Sequence, residues 1–330
     1  MTSHRTTARL RAAVALLILA VVAVAGCSSA SDDAAKSGTR QVQTERGAIT
    51  VPADPQRIVV LTGTLAGYLY DLGAPVAAAD PRVLGVSNRT GEFPPAWAED
   101  AKKQGTKALP IGESVNLEFI AGQHPDLIIG GGQGYTAQLS INAYDQLTAI
   151  APTVLVPSSA TDWREQLRLV ATAVGRTDRV DGLLGAYRDK LAKVKSTIKV
   201  PQGDAAFIQS RKDNRPTLIL PSATLPSLLT EVGFSVDNQV LAKAGNPSRP
   251  EAADWFGFSP ELLTKVVDAP VLFVLPADGG RSAAQLAEDP MYQQLPAFKA
   301  GKVFELPGTS YRPDYRGVMS TLDLIAERYK

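Results

Sequence analysis

The chain has 330 residues with 34 basic and 33 acidic side chains, a formal net charge of +1, so no global field recruits nucleic acid. One cysteine excludes a disulfide framework or a cysteine metal cluster within the chain. Hydrophobic residues make up 45% of a sequence about twice the length of an average domain, which points to two lobes with filled cores.

The N-terminus carries His4, Arg5, Arg9 and Arg11, then an apolar run from Ala12 to Val24 that has secretory length but is short for a membrane span. Val24-Ala25-Gly26-Cys27 follows, and this junction resembles the lipobox of bacterial lipoproteins. The resemblance implies a lipoprotein signal peptide with lipobox over residues 1–27, removed so that a lipidated Cys27 becomes the N-terminus, which places the mature chain outside the cytoplasmic membrane. A buried structural cysteine is disfavoured by the polar Ser28-Ser29 and Asp32-Asp33 that come next. Ser28 to Gln43 reads as a tether, and residues 28–47 are assigned to it.

The first buried-strand run is Ile58-Val59-Val60-Leu61, followed by Thr64-Leu65, Leu69, Asp71, Leu72 and Gly73. At an offset of 160 positions, Leu218-Ile219-Leu220 is followed by Thr224-Leu225, Leu229, Glu231, Val232 and Gly233. Both read as strand, one-faced helix and glycine stop. Asn116-Leu117-Glu118-Phe119-Ile120, running into Pro125 to Ile129, is echoed by Ser259-Pro260-Glu261-Leu262-Leu263, running into Asp268 to Val274. Tyr144, Gln146, Leu147 and Ala149 precede Thr153 to Val156, as Tyr292, Gln294, Leu295 and Ala297 precede Lys302 to Leu306. Three matches in one order predict two α/β lobes, each with a mainly parallel central sheet.

Between the halves, Thr177 to Lys199 sets Val180, Leu183, Leu184, Tyr187, Leu191, Val194 and Ile198 on one helical stripe. At ~1.5 Å per residue such a helix extends ~30 Å, enough to join two lobes as a strut. Gly182 and Gly185 each weaken it by ~1 kcal/mol relative to Ala, so packing must hold it. A surface helix inside one domain is the alternative. The expected organisation is an N-terminal lobe over 48–176, an interlobe helix over 177–199 and a C-terminal lobe over 200–330.

With these features the chain resembles the substrate-binding lipoproteins of iron-siderophore, haem and cobalamin ABC importers. Its most specific pieces are Val51 to Leu61, Asn116 to Ile129 and Ser259 to Val274, with Val51 to Val60 and Tyr144 to Pro152 most similar to ferric-siderophore binders. The resemblance implies two α/β lobes joined by one long helix, a cleft between them, a ferric siderophore as ligand and no cofactor. It also implies that one glutamate per lobe, Glu118 and Glu261, docks on the permease subunits, and that the protein works as a monomer. Helix dipoles favour a first-turn carboxylate by ~0.3 to 1 kcal/mol, a second explanation for both residues. Asn116 and Ser259 read as the corresponding N-caps.

Loops after the C-terminal ends of parallel strands line the ligand crevice in open α/β sheets. They carry Thr62 to Thr64, Arg82, Arg89, Trp97 and Gly130 to Tyr135 in the first lobe, then Arg211, Lys212, Ser222, Trp255, Asp278 to Arg281, Tyr311 and Arg312 in the second. The ligand candidates are Arg82, Trp97, Tyr135, Arg211, Trp255, Arg281, Tyr311 and Arg312, because arginine forks and aromatic faces suit a bulky, often anionic complex. Trp97 and Trp255 also read as core residues, and an exposed arginine is ordinarily a solvated charge. The siderophore fills the coordination sphere of iron, so no direct metal ligand is expected.

Gly132-Gln133-Gly134-Tyr135-Thr136-Ala137 matches a dinucleotide-binding pattern, but the next strand ends in Pro157-Ser158-Ser159 without a ribose-binding acid. The glycines instead read as a loop that admits close approach of a bulky ligand. Only His124 remains after the leader, too few histidines for a bare zinc or manganese site. Haem or cobalamin is the alternative cargo. An extracytoplasmic hydrolase, the alternative of another class, finds no Gly-x-Ser-x-Gly elbow and no cysteine nucleophile in the folded part. A tethered sensor predicts the same cleft.

Overall fold

The computed structural model describes residues 38–83, 91–246, 254–277 and 279–330. Cys27, Arg89 and Asp278 lie outside the described residues. The chain enters through an antiparallel hairpin of β1 (Thr39–Thr44) and β2 (Gly47–Pro52). This corrects the tether at residues 39–47. Val42 and Val51 are buried, and Arg40 donates to the carbonyls of Thr172 and Ala173, so the hairpin is fastened to the first lobe. Glu45 and Arg46 form a two-residue turn closed by Gly47 at φ 97°, a conformation that favours glycine.

The first lobe is built on β3 (Ile58–Val60), β4 (Val76–Ala79), β5 (Lys107–Ala108), β6 (Leu127–Gly131) and β7 (Thr153–Val156). They are parallel throughout in the order β5-β4-β3-β6-β7. The second lobe contains β8 (Asp204–Ser210), β9 (Thr217–Ile219), β10 (Ser235–Val236), β11 (Trp255–Gly257), β12 (Val271–Pro276) and β13 (Val303–Glu305). β10, β8, β12 and β13 pair in parallel, whereas β9 runs antiparallel to β8 and β11 antiparallel to β9.

That topology corrects one repeat. The strand after which the chain enters helix Gly63–Asp71 is central and parallel, but Leu218 and Ile219 belong to the antiparallel β9, with Leu220 just beyond its end. The topological partner of β3 is β8, and β9 is inserted before helix Thr224–Val232. A three-residue apolar run carries no signal of its direction, which is why the sequence match passed over the insertion. The other two matches coincide with β6 and β12, then with the edge strands β7 and β13.

Both sheets are buried on two faces, with the period of 2 expected for strands. Ile58, Val60, Ala205, Phe207, Val271 and Phe273 face one shared core. Val59 and Ile128 face a second cluster on the far side of the first lobe, and Ala206, Ile208, Leu272 and Val274 face a third on the far side of the second. The shared core also holds Val180, Leu184, Tyr187 and Val194 of helix Val180–Thr197, and Leu322 and Ile325 of helix Tyr315–Arg328. The lobes are therefore joined through packed side chains and not through a bare hinge.

Polar contacts reinforce the junction. Arg164 and the Tyr187 hydroxyl both donate to Glu231, at 2.7 and 2.5 Å. Thr224 Oγ1 donates to the Thr161 carbonyl at 2.8 Å. Arg316 donates to Asp71 at 2.7 Å and to Asp100 at 2.6 Å. At Gly67 any Cβ would overlap the Asp314 carboxylate, so the helices of the two lobes approach at a glycine.

Candidate functional site

The carboxyl ends of the strands open on one side of each lobe, where the chain must bend and backbone groups lose their ladder partners. Thr62, two positions beyond β3, donates its hydroxyl to the Gly131 carbonyl at 2.9 Å. Gly131 N–H donates to Ser140 Oγ at 2.8 Å, and Gly132 N–H to the Val156 carbonyl at 2.7 Å. A Cβ on Gly130 would meet Ser140, and one on Gly131 would meet the Val156 backbone. These two glycines permit close packing inside the lobe, a correction to their reading as ligand-facing. Gly132, at φ 78°, is the one that reaches the groove.

The groove lies between the lobes. Thr62, Thr64, Leu65, Gly132, Gln133, Thr161 and Gln166 line it from the first lobe, and Thr224, Arg312 and Pro313 from the second. Arg312 alone among the eight ligand candidates lines this space. Its Nε and Nη2 donate to the two oxygens of Asp254 at 2.6 and 2.5 Å, and Asp254 is 5% exposed. Burial pulls the Arg312 pKa down, but the hydrogen bonds and negative charge of Asp254 outweigh it, so the net direction is upward. Tyr311 is buried beside Arg312, which lies 4.9 Å from its ring centroid, and burial pushes its hydroxyl pKa up. Tyr311 thus supports the arginine from behind, a correction to its place as a ligand contact.

The remaining candidates form separate units. Arg82 donates through Nε and Nη2 to Asp80, which is 4% exposed, and through Nη1 to the Gly112 carbonyl at 3.0 Å. The hydrogen bond to Asp80 raises its pKa. Tyr135, 57% exposed, begins helix Tyr135–Asn142, with its ring centroid 5.9 Å from the Arg82 guanidinium and its hydroxyl donating to the Glu113 carbonyl. Arg211 lies 5.5 Å from the ring of the half-buried Trp255 and bonds Gln209 at 3.4 Å. Arg281 donates to Asp289 at 2.8 Å and sits over Tyr292.

Trp97 does not belong to any of these. It is 2% exposed and packs between Tyr70 and Phe93 at centroid distances of 5.5 and 5.0 Å. Two prolines, Pro94 and Pro95, turn the chain before it and drive the indole into the core, where its large apolar area is better buried than wet. Among the residues that sequence reasoning missed, Asp80 and Asp254 matter most. Asp80 stands two positions before Arg82, a spacing that signals a local pair, whereas Asp254 is 58 positions from Arg312 and gives no such signal.

Glu118 and Glu261 are exposed in the first turns of helix Leu117–Gly122 and the 3-10 turn Pro260–Leu262. Asn116 caps the first by accepting from the Phe119 N–H at 2.9 Å. Ser259 makes no such bond, a correction, because Pro260 opens a tighter 3-10 turn whose first N–H is missing.

A two-lobed α/β body with a groove at the strand ends defines a solute-binding protein. The family described as periplasmic binding protein matches over residues 58–309, and the chain belongs to it. The Escherichia coli O6:H1 ferric enterobactin-binding periplasmic protein FepB is 28% identical over 290 residues, covering 87% of this chain and 89% of FepB. The Bacillus subtilis "Probable siderophore-binding lipoprotein YfiY" is 30% identical over 318 residues, covering 88% of each chain. The crystal structure of holo-ViuP superposes with a TM-score of 0.75 at 23% identity, covering 88% of this chain and 95% of ViuP, and shows the shared fold.

Proposed function

We propose that the protein captures a ferric siderophore in the groove between its lobes, outside the cytoplasmic membrane, and delivers it to an ABC permease. The observation that carries this reading is a space lined by polar side chains of both lobes, Thr62 and Gln133 facing Thr224 and Arg312. Relatives named for ferric enterobactin and for siderophores support the cargo class, and relatives named as periplasmic or as lipoproteins support the location. Lipidation of Cys27 would hold the protein at the membrane. Glu118 and Glu261, exposed on equivalent elements of the two lobes, would meet two permease subunits.

Intrinsic fluorescence tests the cargo. The chain has three tryptophans, of which Trp97 and Trp163 are each 2% exposed and Trp255 is half-buried beside Arg211. Ferric siderophores are expected to quench the emission saturably, with haem and cobalamin inactive, and Trp255→Phe to remove most of the quench while leaving affinity within about threefold by competition. Quenching by haem or cobalamin alone overturns the cargo. Turnover of a small substrate without ligand capture overturns the class.

A further inference from the structure

Arg312 projects the only guanidinium among the described lining of the groove, and it is already matched by a carboxylate. Asp254 takes the Nε and Nη2 edge of the fork, the side-on geometry that fixes a guanidinium in plane and leaves its Nη1 edge free of the carboxylate. The rest of the wall is neutral, made of Thr62, Gln133, Gln166 and Thr224 with apolar neighbours. Arg82, on the first lobe, repeats the device with Asp80. The guanidinium of the groove is therefore presented as a donor whose charge is largely cancelled within the protein.

Resting on the function proposed above, we propose that Asp254 is a specificity-determining residue that sets the charge preference of the groove. It holds Arg312 as a neutralised donor, so the site recognises a ferric complex by hydrogen bonding and shape and gains little from net negative charge on the cargo. Without the carboxylate the guanidinium meets the cargo as an uncompensated cation, and a highly anionic complex gains far more than a neutral one.

The test compares two probes, a neutral ferric tris-hydroxamate and a trianionic ferric tris-catecholate, by their Kd values at fixed ionic strength. Asp254→Asn preserves shape and one acceptor, and is expected to shift the selectivity ratio toward the tris-catecholate by about tenfold. Asp254→Glu, which keeps the charge, should leave the ratio within about threefold, and adding Arg312→Gln to Asp254→Asn should return it toward the starting value. If Asp254→Asn weakens both probes equally or leaves the ratio unchanged, Asp254 only supports the fold and the proposal fails. If that variant does not fold, Arg312→Gln alone must move the ratio toward the neutral probe, and an unmoved ratio again overturns the proposal. Binding of neither probe by the unmodified protein removes the siderophore reading together with this one, a result distinct from an unchanged ratio.

Discussion

Cells whose only copy carries Glu118→Ala and Glu261→Ala are expected to lose uptake of the ferric complex almost entirely, while the purified variant binds it within about twofold of the unmodified protein. The first helix follows the loop at the carboxyl end of β5 and the second precedes β12 in the matching position, so each carboxylate stands on the groove side of its own lobe. Both are exposed, and their loss removes no core contact. Helix-dipole stabilisation costs at most about 1 kcal/mol at each site, which the fold tolerates. On the docking role proposed for these residues, each single substitution should give an intermediate rate, because one of the two contacts is kept. Uptake of labelled iron and fluorescence titration, measured side by side, check the prediction. Weakened binding in the double variant would contradict a docking role.

The second large effect concerns the interlobe junction. Arg316→Ala is expected to destabilise the protein by about 3 kcal/mol or more at pH 7.5, because it strips the partner from a buried carboxylate. Asp71 is 10% exposed at its side chain and accepts Arg316 Nε on one oxygen, while the other is buried without a partner. Burial is the main force on this group and raises its pKa from 3.8 to about 6; Arg316 opposes the rise, and Asp314 and Asp100 add to it. The folded state thus keeps a proton that the unfolded chain releases. The stabilisation linked to that proton is fully present below about pH 4 and is lost as pH rises through about 6.

Two consequences distinguish this account from a simple lost contact. The deficit of Arg316→Ala should shrink toward pH 5, where Asp71 is neutralised by protonation. Asp71→Asn, which retains an acceptor for Arg316, should be more stable than the unmodified protein by about 2 kcal/mol at pH 7.5 and show a flatter profile between about pH 4 and 6. Denaturant unfolding across that range measures both. A deficit independent of pH would exclude Asp71 as the group responsible.

Much of the molecule follows from local pattern. The apolar runs at Ile58, Leu127, Thr153, Val271 and Val303 are strands, and the stripe from Val180 to Val194 lies on one buried helical face. Thr39 to Thr44 carries little strand signal of its own, because Val42 is its only large apolar residue. Its strand exists through pairing with Gly47–Pro52, which supplies Val51 to the core. Of the two readings open for Trp97, ligand contact and core, the structure realises the core one, because position after a strand says where a loop begins and not which way its side chains turn.

The strands β3, β6, β7, β12 and β13, the helical stripe between the halves and the α/β class were legible in the sequence alone, since periodicity acts over short distances. Only the tertiary structure decided that β9 runs antiparallel, that Trp97 is core, and that Arg312 meets Asp254 and Arg316 meets Asp71 across 58 and 245 positions. Charge pairing in a buried place depends on which groups are desolvated together, and desolvation is a property of packed neighbours that no stretch of chain carries by itself.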